Sequence, residues 1–329
     1  MVNGDMSKNV VLDVVGSSIN DLDIAEGEME EMEEMGASTP ESNENYEHSL
    51  YGYVDESGEL NLKRNLERGL VNILGINPST DVFWQGNLYE IKRMLKRLGL
   101  RVNTLLDNDF DSAVGAELNI VLSPRFGIDL AKKLERRFEI PYLVNTLPIG
   151  ITETNLFLNR VAKALWIDAD ITNGVIEEEV TKVLKSLEKV ADRNLGVLRY
   201  ATITDSNYAV ALNKFLSNDL GWIPTVAVIH EKLAHEFKKD LRKQLNLTNG
   251  SPDVVFESDP RQIENLLRGQ NIDFLLGCSR DKDIARDMEA LSLSVSYPVT
   301  DRTVINRGYA GYNGTVNLME DLLSELLIK

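Results

Sequence analysis

From Leu70 onward, short apolar runs alternate with amphipathic stretches. "LVNILGI" (70–76), "VNTLL" (102–106), "LNIVL" (118–122) and "PYLVN" (141–145) read as buried strands. Between and after them, apolar positions at helical spacing predict helices over 87–100, 127–138 and 152–165. A charged helix over 174–193 follows, and then the rhythm restarts. Strands are expected at 196–203, 225–230, 253–256, 273–277 and 293–297, with helices at 206–220, 231–245, 260–269, 280–290 and 314–327. Strands alternating with helices indicate parallel sheets covered on both faces. The expectation is an α/β chain with two doubly wound, Rossmann-like domains, at 66–172 and 194–329. A connecting helix (173–193) joins them, and the second domain ends in the C-terminal helix.

Residues 1–65 lack this rhythm and read as an acidic N-terminal segment and linker. A glutamate/methionine run places Met29, Met32 and Met35 three apart, and a polar stretch at about 37–49 follows. The methionines suit either a weak helix or a docking face. Charge separates this segment from the body. Residues 1–59 hold sixteen Asp/Glu against the single base Lys8, whereas the rest holds thirty-six acids against thirty-four bases. Of the net −17, nearly all therefore belongs to one end, which argues against nucleic acid as a partner. No apolar run reaches a membrane-spanning length, and the N-terminus does not read as a secretory signal, so the expectation is a cytoplasmic chain with no membrane partner. The one cysteine, Cys278, excludes an internal disulfide and cannot alone hold a zinc site or a four-cysteine cluster.

Several residues stand where ligands are held in open α/β folds, just past the carboxyl ends of strands. Ser123 precedes Pro124 at a helix start, so it is either a plain N-cap or, with Arg125, a ligand contact. Cys278 closes a buried strand and is either a small filler or a thiolate metal ligand, with Arg280 placed to meet an anion. Asp301, Arg302, Asn306, Arg307 and Tyr309 form a polar loop that suits a cleft lining or a structural ion-pair network equally well. Asp81, Gln85 and Asn87 sit at a strand-to-helix junction as ligand candidates, with Trp84 as packing. His230 and His235 are five apart, which does not match metal ligands on one helix face. Neither G-x-G-x-x-G nor G-x-x-x-x-G-K-[ST] occurs after a first strand, so a nucleotide held in the usual way is not supported. Spacing alone reveals no catalytic triad or carboxylate pair.

Four segments, taken together and in order, resemble the component 1 family of nitrogenases and nitrogenase-like reductases. The first is 71–103, with Asp81, Trp84, Gly86 and Leu88 in pattern. The second is 118–162, with Pro141-Tyr142 and Pro148-Ile149-Gly150. The third is "DFLLGCSRDKDIARDM" (273–288). The fourth is 295–323, with Asp301-Arg302, Asn306-Arg307 and "GYAGY" at 308–312. The last segment looks closer to β-type than to α-type chains.

The resemblance implies a homologous partner subunit, an ATP-hydrolysing iron protein as electron donor, and an iron–sulfur or related metal cluster at a subunit interface. In molybdenum-type α chains of that family, a cysteine at a strand end and a histidine near the C-terminus hold the cofactor. Matching the motifs places those positions on Ser123 and Ala310, neither of which is a plausible metal ligand. The family's cysteine-bearing first domain is expected before residue 70, where this sequence has no cysteine. The expectation is thus a component 1-like subunit that is not self-sufficient. The alternatives are a non-catalytic assembly scaffold and a two-lobed small-ligand module.

Overall fold

The computed structural model describes residues 66–104, 113–188 and 196–327. The acidic segment, its methionine stripe and the 37–49 linker lie outside the described residues, as do 105–106 and 189–193. Residues 63–329 form one compact unit, distinct from 1–62.

Two all-parallel sheets are present. The first has the order β2-β1-β3-β4, with β1 at Leu70–Leu74, β2 at Arg101–Thr104, β3 at Leu118–Val121 and β4 at Tyr142–Val144. The second has the order β7-β6-β5-β8-β9, from β5 at Arg199–Thr204, β6 at Ile223–Ile229, β7 at Asp253–Phe256, β8 at Phe274–Gly277 and β9 at Leu291–Ser294. The chain moves outward from β1 to β2, then returns to β3 on the other side. It does the same around β5, with β6 and β7 on one side and β8 and β9 on the other. Each sheet therefore has a topological switch point, between β1 and β3 and between β5 and β8, where α/β folds bind ligands.

The helices are α1 (Trp84–Arg97), α2 (Pro124–Phe138), α3 (Ile151–Ala164), α4 (Ala169–Leu187), α5 (Ser206–Lys214), α6 (His235–Leu245), α7 (Pro260–Leu267), α8 (Lys282–Asp287) and α9 (Gly311–Leu327). Capping explains most shifts from the expected bounds. Asp168 accepts from the N–H of Asp170 and starts α4 earlier than its charge pattern suggests. The expected helix 206–220 is α5 followed by a wider π turn over Phe215–Asp219. The expected helix 280–290 is a 3-10 turn at Ser279–Asp281 and the short α8.

One apolar core spans both layers. Ile73, Ile91 and Ile120 from the first belong to the same cluster as Tyr200, Phe215 and Phe274 from the second, together with Leu318 and Leu322 of α9. The layers are thus joined through dry packing, with polar chemistry gathered where the carboxyl ends of the strands meet.

Candidate functional site

A small cleft of about 450 Å³, counting the solvent at its mouth, lies past the carboxyl ends of β1, β3 and β5. The loop after β1 contributes Asn77 and Asp81, and the start of α1 contributes Trp84 and Asn87. The segment after β3 contributes Leu122 and Phe126, and the start of α5 contributes Asp205 and Tyr208. Asp205 is the N-cap of α5: its Oδ1 accepts from the N–H groups of Asn207 (2.8 Å) and Tyr208 (2.9 Å). This "TDSNY" cap directly after a buried strand is a sequence signal that composition and periodicity passed over.

Asn87 holds the site together. Its amide group donates to Tyr208 Oη (2.8 Å) and Asp81 Oδ2 (3.3 Å). Its oxygen accepts from the backbone N–H of Tyr309 (2.8 Å) and Ala310 (2.9 Å). Tyr208 in turn donates to Asp81 Oδ1 at 2.9 Å. One buried side chain therefore ties α1, α5 and the strand-like 309–310 segment, whose Ala310 also forms a bridge with Ile149. The close fit requires glycines on both sides. A Cβ on Gly86 would lie 2.4 Å from the Arg307 carbonyl carbon, and one on Gly308 would lie 2.4 Å from the Asn87 nitrogen.

The carboxylates here are strained electrostatically. Burial pushes Asp81 above the usual carboxylate range, against the opposing bonds from Phe83 N–H, Tyr208 and Asn87. Burial, and then the charge of Glu231, push Asp205 up to about 7. Glu231 follows β6 and accepts from the Ser206 N–H at 2.8 Å. It also pairs with Arg125, at the start of α2, across the two layers.

The residues proposed from sequence fall into four places. Ser123 holds the N-cap position of α2, with Pro124 at the first helical position, but its hydroxyl makes no capping bond. The backbone does this work instead: the Ser123 carbonyl accepts from Phe126 and Gly127. Expected capping by the side chain is thereby corrected to capping geometry alone. Ser123 is buried at 1 % exposure, pressed by Gly75, and is not part of the cleft lining. Arg125 is half-exposed and reaches Glu231 rather than the cleft.

Arg302, Arg307 and Tyr309 converge on Asp321 of α9. Arg302 Nη1 lies 2.7 Å from Asp321, and Arg307 approaches both of its oxygens at 3.0 and 2.8 Å. The Tyr309 hydroxyl donates to Asp321 at 2.7 Å and accepts from Arg302. Arg302 also lies 5.4 Å from the Phe83 ring centroid. Arg302, Arg307 and Tyr309 thus form an ion-pair network with α9. Asn306 is exposed and, with Arg307, borders a shallow groove beside Tyr89.

Cys278 lies after β8, half-buried, where its N–H donates to Asp281 at 2.7 Å. Burial first, and Asp281 second, push its thiol up to about 11. Arg280 is exposed in the following 3-10 turn.

These residues do not fit a metal cluster. Among the described residues no group of three or more His, Cys, Asp or Glu is placed to hold a metal ion. Cys278, the one cysteine of the sequence, is half-buried and has no second cysteine with which to share a cluster. Ser123 is inward-packed, and Ala310 has no donor side chain.

The profile of the nitrogenase component 1 type oxidoreductase family matches residues 24–327. The nitrogenase molybdenum-iron protein beta chain of Methanococcus maripaludis is 28% identical over 86% of this chain and 64% of its own length. The cofactor biosynthesis protein NifE of Sinorhizobium fredii is 27% identical over 77% of this chain and 49% of its own length. A solved structure of nitrogenase Cp1 at pH 6.5 superimposes with a TM-score of 0.66 at 21% identity, covering 80% of this chain and 60% of that one, and so shares the fold. The chain thus spans less than two thirds of the length of each of these relatives. No helix among the described residues is long and apolar enough to cross a membrane. The four sequence segments, the paired parallel sheets and the profile match agree, and the chain belongs to the nitrogenase component 1 type oxidoreductase family.

Proposed function

We propose that this chain is a β-type, component 1-like subunit that works only in a hetero-oligomer with a homologous, cysteine-bearing subunit. Electrons come from an ATP-dependent iron protein, and the metal cluster is ligated by residues outside the described part of this chain. The observation that carries this reading is the donor set: the family fold is present, but among the described residues no group of three or more His, Cys, Asp or Glu is placed to hold a metal, and Ser123 and Ala310 offer no ligands. A fold kept with its inter-motif bonds intact suits a subunit that shapes and buries a partner's redox centre. In this reading the chain supplies packing, the Asn87-anchored seam and an interface, while the difficult reduction takes place on the assembled complex.

Anaerobic co-expression with a cysteine-bearing homologue and the iron protein tests this. The expected result is a stable complex containing iron, with the chain alone iron-free, and Cys278→Ser leaving the iron content unchanged. Iron bound stoichiometrically by the isolated chain, or failure to associate with any homologue, would sink it. A second reading, an assembly scaffold that holds a cluster only in transit, is favoured by the same lack of ligands and by the similarity to a cofactor biosynthesis protein. Sustained substrate reduction by the purified complex counts against that reading.

A further inference from the structure

Three carboxylates, Asp81, Asp205 and Glu231, stand at or beside the cleft, and all but one of their oxygens are engaged. Asp81 accepts from the Phe83 N–H (2.8 Å) and the Tyr208 hydroxyl at Oδ1, and from the Asn87 amide at Oδ2. Glu231 accepts from the Ser206 N–H at Oε2 and pairs with Arg125 through Oε1. Asp205 uses only Oδ1, on the N–H groups of Asn207 and Tyr208 that it caps. Its Oδ2 has no hydrogen-bond partner among the described residues, and Asp205 lines the cleft. We infer that the cleft binds a small alkylammonium ion, its N–H groups on Asp205 Oδ2 and its carbon chain against Leu122, Phe126 and Leu147. The inference stands apart from the reaction of the assembled complex, and its failure would leave that reading untouched.

The lining selects this class of ligand. It includes two carboxyls and no Lys, Arg or His, so an anion would meet like charge without a counter-ion. Arg125 lies 5.1 Å from the Phe126 ring centroid, but its charge is taken up by Glu231. A divalent metal ion needs several oxygen ligands at once. Among the described residues no group of three or more His, Cys, Asp or Glu is placed to supply them. One free carboxylate oxygen beside an apolar wall suits an ammonium head with a short hydrocarbon tail, joined by a charge-assisted hydrogen bond. Asp81, bonded at both oxygens, adds negative charge without competing as an acceptor.

Size and rigidity point the same way. The cleft, about 450 Å³ with its open mouth, is at the small end of ligand pockets, which limits the guest to a few carbons behind the head group. The capping bonds at Oδ1 hold the Asp205 side chain in place, so binding at Oδ2 costs little further ordering. Trp84 and Asn207 border the same space, and neither side chain has a hydrogen-bond partner among the described residues.

The three tryptophans of the full chain give separate indole N–H signals in heteronuclear NMR spectra. Trp84 lines the cleft, Trp222 is buried and Trp166 is 94 % exposed, and Trp84→Phe and Trp166→Phe assign the signals. Butylammonium, butanol and butyrate are titrated in turn at a pH of about 8, where Asp205 is mostly ionised. Salt at about 0.3 M screens the acidic N-terminal segment. Butylammonium should move the Trp84 signal saturably at millimolar concentrations and leave the Trp166 signal in place. Butanol should bind at least about tenfold more weakly, butyrate should not bind, and magnesium chloride should not reproduce the shift. Asp205→Asn keeps an N-capping side chain and should weaken butylammonium binding by about tenfold or more. A Trp84 signal that butylammonium leaves still would overturn the inference. So would butanol, butyrate or magnesium acting as well as butylammonium, or unchanged binding in Asp205→Asn. If circular dichroism shows that Asp205→Asn does not fold, the comparison of ligands on the parent chain decides alone.

Discussion

Two polar clusters sit about Phe83 and Tyr309, and they resolve their charge differently. In the α9 network, two arginines and a tyrosine converge on one aspartate, so each charge meets its opposite. In the cleft, burial pushes Asp81 and Asp205 toward their neutral forms, while Glu231 beside them pairs with Arg125. The first cluster fastens the C-terminal helix to its preceding loop. The second stores electrostatic tension at the seam. The polar residues therefore divide into a fastener of paired charges and a cleft of buried carboxyls, and the balance of charge decides which is which.

Asn87 belongs to both clusters, so its loss should have the largest effect. Asn87→Ala leaves two buried backbone N–H groups at 309–310 without an acceptor and frees Tyr208 and Asp81. Destabilisation of about 3–5 kcal/mol is expected in urea unfolding. A loss below about 1 kcal/mol would mean that water or another side chain replaces it.

Asp321→Ala strips the fastener of the carboxylate that Arg302 and Arg307 share and leaves Arg307 only the more distant Glu320, at 3.4 Å. The expected cost is about 2–4 kcal/mol. Because the cluster is partly exposed, the double change Asp321→Leu with Arg302→Met should recover part of that loss. If the double variant is no better than the single one, the network is not an isolated ion-pair system.

Asp205 in the cleft should show the opposite sign. The folded state holds the Asp205 proton up to about 7, whereas the unfolded chain releases it near the ordinary carboxylate value. Its contribution to stability is therefore complete at pH below about 4 and is lost as pH rises through about 7. Asp205→Asn, still able to cap α5, should raise stability at pH 7.5 by about 1–3 kcal/mol and give little gain at pH 4. Denaturant midpoints at the two pH values read the difference directly. Destabilisation at both would show that Asp205 matters only as a cap.

Cys278 gives the smallest expected effect. Its thiol, pushed up to about 11, should react with iodoacetamide far more slowly at pH 8 than free cysteine does. Cys278→Ser should change stability by less than about 1 kcal/mol. Fast alkylation would reopen its reading as a ligand.

Much of the fold could be read from the sequence because parallel strands, buried on both faces, write themselves as apolar runs. "LNIVL" and "DFLLG" each lie in a fully buried strand. Helix bounds were less legible, because caps such as Asp168 and the π turn after Lys214 depend on single hydrogen bonds rather than on periodicity. Asp81 and Asn87 could be singled out at a strand-to-helix junction. Asp205, Tyr208, Glu231 and Asp321 could not, since their partners lie far away in the chain. Tyr208 meets Asp81 across 127 positions, and no local pattern records that meeting.

Sequence alone determined the class of fold, the family, the acidic character of the first 59 residues and the shortage of cysteine ligands, because composition, periodicity and ordered motifs carry these directly. Tertiary structure alone decided what the polar residues do. It turned Arg302, Arg307 and Tyr309 into a fastener, took Ser123 out of the cleft, and brought Asp81 and Asp205 to the lining of one cleft. The physical reason is that charge and hydrogen bonding act over a few ångströms of space, and a parallel α/β fold brings distant strand ends within that reach.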